Sequence, residues 1–227
     1  MSLDFELVIK RTARKKSIGI RVFPNRVVLS APVWTSDRQL HALVQERSAW
    51  IQDKLQAVSS VTAPTPLSRD GGTWPVQGVW VPIEVTTGSR GVSKNASGWR
   101  IQLPSPDEAS IAKVWDRHLK QLAVQHLTNR VENFANQLSV QPSALKFRRY
   151  SARWGSCSAS GAVTLHWPII QAPDWVSDYL VVHELSHLHH FNHSSAFWTC
   201  VESIMPNWRA ARTWLRDEGR WMLETHS

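Results

Sequence analysis

Cysteine is nearly absent: Cys157 and Cys200 stand alone in 227 residues. Two such thiols make no disulfide framework, and without a C-x-x-C pair there is no zinc ribbon. Long apolar runs are missing as well. No stretch approaches the roughly 18 consecutive apolar residues of a membrane-spanning helix, so no membrane partner is expected. The first residues, Met1 to Glu6, are acidic and have no apolar run behind a basic cluster, which predicts no secretory signal and a cytoplasmic protein. No internal repeat is evident. Between Leu7 and Ser36 there is no acidic residue at all.

What is present points to a globular protein. Apolar residues make up 42% of the chain, enough to bury a substantial core in one large domain or two small ones. A net charge of +8 with a pI near 10.0 favours anionic partners, whether nucleic acid, nucleotides or acidic proteins. The acid-free span gathers Lys10, Arg11, Arg14, Lys15, Lys16, Arg21 and Arg26 on one hairpin. That hairpin is either a solvated surface or an arm that meets a polyanion such as nucleic acid. Of the thirteen tryptophans, Trp115, Trp198, Trp214 and Trp221 fall at helical apolar positions and belong in a core. For the others, stacking on bases is the alternative.

Taken in order, Phe5 to Thr12, Ser17 to Phe23 and Arg26 to Ala31 alternate apolar and polar residues, which predicts a small antiparallel sheet. Ser36 then caps one helix carrying Leu40, Val44, Ile51 and Leu55 as far as Val58. Ser59 to Gly72 reads as a linker. Trp74 to Val85 and Trp99 to Leu103 read as strands, separated by a Gly- and Ser-rich loop from Thr87 to Gly98. Pro106-Asp107 opens a long helix with Ile111, Trp115, Leu119, Leu122, His126, Val131, Phe134 and Leu138 on one face. Leu145 to Tyr150 and Ala162 to Trp167 are further strands, the second placed to offer its edge to an extended substrate. A helix capped by Ser194 or Ser195 and a final helix capped by Asn207, carrying Trp214, Leu215 and Trp221, close the chain. The expected organisation is an amino-terminal sheet-and-helix segment (1–58), a linker with a β segment (59–105) and a catalytic domain (106–227).

The chemistry is concentrated in His183-Glu184-Leu185-Ser186-His187, with His193 beyond it. If Asp174 caps a helix running through Leu188, His183 and His187 lie one turn apart on one face and can share an ion, the H-E-x-x-H spacing. Glu184, about 100° round the helix, leans over that site without ligating and can take a proton from a water at the metal. A third ligand is required. His193 supplies it if the helix breaks soon after His187, and Asn192 could make the break in a left-handed conformation. Glu202 from a later helix is the other candidate, and His190 sits on the same face about 10 Å along a straight helix. Upstream, Arg148, Arg149 and Arg153 could bind phosphate or a carboxylate, or simply form a charged strand face. Cys157 is read as structural.

These residues resemble the YgjP-like metallopeptidases, relatives of the SprT zincins. The likeness rests on Arg153-Trp154-Gly155-Ser156-Cys157-Ser158, on Val181 to Leu188, and on Asn192-His193-Ser194 with Phe197-Trp198. It also takes in the amino-terminal hairpin and Trp50-Ile51. The resemblance implies a zincin-like α+β core, zinc on His183, His187 and His193, and Glu184 as catalytic base. Two positions depart from the family pattern: Ser151 stands where lysine is usual, and His166 where asparagine is usual. The histidine spacing also equals that of the metzincins, but His190 occupies their glycine position.

The resulting expectation is a zinc-dependent hydrolase acting on a peptide or protein. Arg153 or Tyr179 would assist at the oxyanion. A nucleoside triphosphate pyrophosphohydrolase using the same metal site, and a nucleic-acid-binding module with a structural metal, are the alternatives.

Overall fold

The structure is a computed structural model that describes residues 5–13, 17–23, 26–59 and 63–223. Arg14, Lys15 and Lys16 of the basic hairpin lie outside the described residues. The chain divides into two compact units, Met1–Thr62 and Ala63–Ser227.

In the first unit, β1 (Glu6–Thr12), β2 (Gly19–Phe23) and β3 (Arg26–Pro32) form one sheet in the order β1-β3-β2. The sheet is mixed rather than antiparallel. β2 and β3 pair antiparallel as a hairpin, whereas β1 runs parallel to β3 with Leu7 opposite Val27 and Ile9 opposite Leu29. The reason is visible in β3: Val27, Val28, Leu29, Ser30 and Ala31 are all buried. Such a continuous run takes the middle of a sheet and leaves β1 the far edge. Ser36 and Gln39 cap each other's backbone N–H groups at 3.3 and 3.0 Å, a capping box that starts α1 (Asp37–Glu46). The single helix expected here is interrupted at Arg47, whose backbone (φ −97°, ψ 11°) lies in the bridge region, and α2 (Ser48–Ser59) follows. Arg11 is not a free cation: it pairs with Asp37 and donates to the carbonyl of Thr35, fastening the turn between β3 and α1.

The second unit opens with β4 (Gly72–Val76), β5 (Val79–Thr87), β6 (Gly91–Lys94) and β7 (Trp99–Leu103), in the order β4-β5-β7-β6. β6 lies inside the segment expected to be loop. It pairs antiparallel with β7 because Asn95 Oδ1 accepts from the N–H groups of Ser97 (3.1 Å) and Gly98 (2.7 Å), closing a tight turn. Asp107 then caps α3 (Glu108–Leu138) by accepting from Ser110 N–H at 3.0 Å. The buried stripe of α3 runs through Ala123 and Leu127 rather than Leu122 and His126, since only this path stays in line over so many turns.

β8 (Ala144–Arg148), β9 (Gly155–Cys157) and β10 (Ala162–His166) form a second mixed sheet in the order β8-β10-β9. β10 is parallel to β8 and antiparallel to β9. A 3₁₀ turn (Trp167–Gln171) leads into α4 (Asp174–Ser186), and α5 (Ser195–Ile204) and α6 (Trp208–Asp217) follow. The final helix is shorter than expected. It stops at Asp217, where the N–H groups of Glu218 and Gly219 both turn back to the carbonyl of Trp214, so Trp221 falls in a separate 3₁₀ turn (Arg220–Leu223). The architecture is α+β, with the motif helix α4 against β9 and β10 as expected of a zincin-like core. α4 is buried almost throughout: Leu180, Val181, Val182 and Leu185 are at most 2% exposed. Each such side chain contributes about 1.5–3 kcal/mol. A bidentate ion pair between Arg130 of α3 and the buried Asp178 fixes the helix lengthwise. Among the described residues no helix is long and apolar enough to cross a membrane.

Candidate active site

α4 ends where the convergence of the three histidines requires. Its first residue is Asp174 and its cap position is Pro173, with no side-chain cap; its last residue is Ser186, with His187 at the carboxyl cap. The chain then tightens: Leu188 N–H bonds Leu185 O at 2.9 Å, and His189 and His190 N–H bond Ser186 O at 3.1 and 3.0 Å. This tightening, not a left-handed Asn192, turns the chain. Asn192 has no positive φ, and its side chain accepts from Ser194 N–H at 3.3 Å. The turn carries His193 back to the helix.

His183, His187 and His193 come together, their ring nitrogens within 4.8 Å of one another. Nε2 of His193 is 3.1 Å from Nε2 of His183. The far nitrogens are held by the fold. His187 Nδ1 donates to His190 O at 3.0 Å, and His183 Nδ1 faces the Tyr179 hydroxyl at 3.5 Å, which leaves both Nε2 atoms for an ion. Burial, then the neighbouring charges of His187, His193 and Arg212, push His183 down to about 3. His193 is lowered by burial, His187 and Arg212. Three imidazoles gathered on one point fit a divalent cation such as zinc. The other candidate ligands are engaged elsewhere. Glu202 pairs with Arg209 at 2.8 Å, and His190 enters through its backbone carbonyl. His189 donates to Leu138 O at 2.9 Å and ties the turn to the end of α3.

Glu184 is 5% exposed. Burial pushes its carboxyl up to about 8, and the charge of Arg153 pulls part of the way back. Its neighbour is Gly155 of β9. A Cβ at that position would lie 2.5 Å from Oε1, 2.7 Å from Cδ and 2.8 Å from Cγ of Glu184. The missing side chain of Gly155 is the seat of the carboxylate, a role hidden in the sequence inside Arg153-Trp154-Gly155-Ser156-Cys157. Beside it, burial and the charge of Glu184 raise the Cys157 thiol, which keeps it protonated and poorly nucleophilic.

The three arginines separate. Arg153 lies over Tyr150 (5.7 Å) and its field reaches Glu184. Arg149 pairs with Asp116, lies over Trp167 (4.4 Å) and lines a cavity of about 300 Å³ with Trp74, Trp115 and Trp221. Arg148 is exposed on β8. Among the described residues neither Arg148 nor Arg149 touches the histidine cluster. The strand expected to receive a substrate is also corrected: β10 is paired on both sides, and the open edge next to Glu184 belongs to β9.

His166 is wholly buried and holds this sheet to the end of the chain. Its Nδ1 accepts from Tyr150 N–H and its Nε2 donates to Met222 O, both at 2.9 Å, so the ring is neutral with the proton on Nε2. Burial pushes it down to about 3 from 6.5. The native state resists a proton that the unfolded chain takes up, so stability is full above 6.5 and falls as pH drops toward 3. From pH 7 to pH 5 the wild type should lose about 2 kcal/mol more than His166→Gln, measured by denaturant titration. Parallel pH profiles would refute the assignment.

Comparison with known proteins adds to this geometry. The family model described as "YgjP-like, metallopeptidase domain" matches residues 16–218. Among solved structures, the chain is similar to the crystal structure of the metallopeptidase zymogen of Pyrococcus abyssi abylysin, at 23% identity over 40% of this chain and 93% of that one, with a TM-score of 0.36. No curated protein matches.

Proposed function

The chain belongs to the YgjP-like metallopeptidase family, and from that premise we propose that it is a zinc-dependent peptidase in which His183, His187 and His193 hold the ion and Glu184 is the general base. The observation that carries this reading is the convergence of three imidazoles with a buried carboxylic side chain at the edge strand β9. When bound, zinc supplies Lewis acidity toward a carbonyl and acidifies a water. The protein's own residues do the rest. An extended peptide adds to the free edge of β9 by backbone hydrogen bonds, which sets its carbonyl beside Glu184. Glu184 accepts the proton of the attacking water and returns it to the leaving amine. Its buried setting raises its proton affinity, which favours holding the proton between the two transfers. Tyr179, pushed up to about 12 chiefly by burial, stays a hydroxyl; it faces Nδ1 of His183, the nitrogen turned away from the ion, so it orients that ring rather than meeting the developing negative charge.

A nucleotide substrate has weaker support. Of the three guanidiniums expected to hold phosphates, Arg149 is committed to Asp116, and Arg153 alone faces Glu184. The basic hairpin as a nucleic-acid contact is a separate reading, and Arg11 is already used in folding.

Metal content by mass spectrometry after zinc addition and dialysis tests the ligand set. The wild type should hold about one zinc per chain, His193→Ala should lose most of it, and Glu202→Ala should keep it. Retention by His193→Ala would overturn the assignment.

A further inference from the structure

The flank of the metal site is a wall of three rings from three helices. Trp198 of α5 stacks on Trp208 of α6 (centroids 4.1 Å, 15°), and Tyr179 of α4 lies parallel to Trp208 (6.5 Å, 14°). Trp198 meets His183 at 5.9 Å and His193 at 5.7 Å. Two guanidiniums from α6 rest on this wall. Arg209 lies over Trp208 (4.5 Å) and is neutralised by Glu202. Arg212 lies over Trp198 (5.5 Å), and among the described residues no carboxylate pairs with it.

An unneutralised cation beside a site for a divalent ion weakens that site through like-charge repulsion. The arrangement becomes favourable when an anion lies between the two positive charges. Arg212 suits that anion: its planar fork is pre-oriented on an indole face and presents paired donors matched to a carboxylate. It also stands off from the reacting atoms. It reaches the histidines across the Trp198 ring rather than by a hydrogen bond to any of them, so its partner is a group one residue or so away from the bond that is cut.

We propose that Arg212, laid on Trp198, anchors a carboxylate of the peptide substrate, either the terminal carboxylate or an acidic side chain next to the scissile bond. This rests on the peptidase reading. It makes the enzyme selective for anionic peptides although its own net charge invites polyanions of every kind.

The test uses the full chain carrying Glu184→Gln and loaded with zinc, so that binding is read without turnover. Acetylated tetra-alanine as free acid, its amide, and acetyl-Ala-Ala-Asp-Ala amide are titrated by calorimetry, then again with Arg212→Ala or Arg212→Lys added. A carboxylate-bearing peptide should bind about 10–100-fold tighter than the neutral amide, as a charge-assisted pair implies. Arg212→Ala should erase the difference, Arg212→Lys should restore part of it, and zinc content should stay the same. Preference for the free acid locates the anchor at the chain end; preference for the Asp peptide locates it at a side chain. Equal binding of acid, Asp peptide and amide, or none, overturns the proposal. Arg212-dependent binding of pyrophosphate ahead of every peptide also overturns it, in favour of a phosphate ligand. A wild-type, zinc-loaded protein that cleaves no peptide, while the Arg212-dependent preference persists, would instead sink the peptidase reading and leave the anion site standing.

Discussion

Glu184→Gln should lower peptide hydrolysis by about 10²–10⁴-fold, the range for loss of a positioned general base, while zinc content stays at the wild-type level. The side chain is buried against β9, and glutamine has nearly the same shape, so the cavity is refilled and no new void is cut. What disappears is the proton acceptor. Initial rates on an unfolded protein substrate, with metal content measured on the same sample, check both halves of the expectation. Turnover at the wild-type rate would mean that the base lies elsewhere and that the mechanism is wrong.

Gly155→Ala should act on the same step from a different strand. Gly155 has no positive φ, so its backbone is open to alanine and any effect must come from the added methyl. That methyl would stand 2.5–2.8 Å from three atoms of Glu184, well inside van der Waals contact. The carboxylate side chain is the part free to give way, by roughly 1 Å, and a displacement of that size at a reacting group costs about 10²-fold. We expect a fall in kcat of that order, unchanged zinc content and a melting temperature near that of the wild type. The double variant Gly155→Ala/Glu184→Gln should be no slower than Glu184→Gln alone, because both changes remove one contribution. Losses that multiply would show that Gly155 works through something other than the base.

The three-histidine cluster proposed to hold the metal was legible in the sequence because it is local. His183 and His187 are fixed by helix geometry, and His193 lies within reach once the chain turns, so spacing alone nearly determines the set. The means of turning was not legible. Tightened bonds to Leu185 and Ser186 did what Asn192 was expected to do, and either solution satisfies the same spacing. Strand order was illegible for a deeper reason. That β10 sits between β8 and β9, or that β1 pairs parallel with β3, depends on which apolar run is buried on both sides of a finished sheet, a tertiary outcome. Gly155 and Arg212 belong to the same class. The first is meaningful only against Glu184, the second only against Trp198, and neither partner is a neighbour in the chain.

The compact span from His183 to His193 also bears on how the protein matures. Gathering these ligands closes a short loop, so the entropy lost in capturing an ion is small and is met largely within one segment. The surroundings of Glu184 assemble differently, since Gly155 arrives with a strand that must first find its place beside β10. On the proposed ligand set, ion binding and the seating of Glu184 therefore rest on different segments, and the two can be uncoupled by mutation. If the proposed site holds zinc, damage confined to β9 would lower turnover while leaving the ion in place, and metal occupancy would then be a poor proxy for the fraction of active molecules in a preparation.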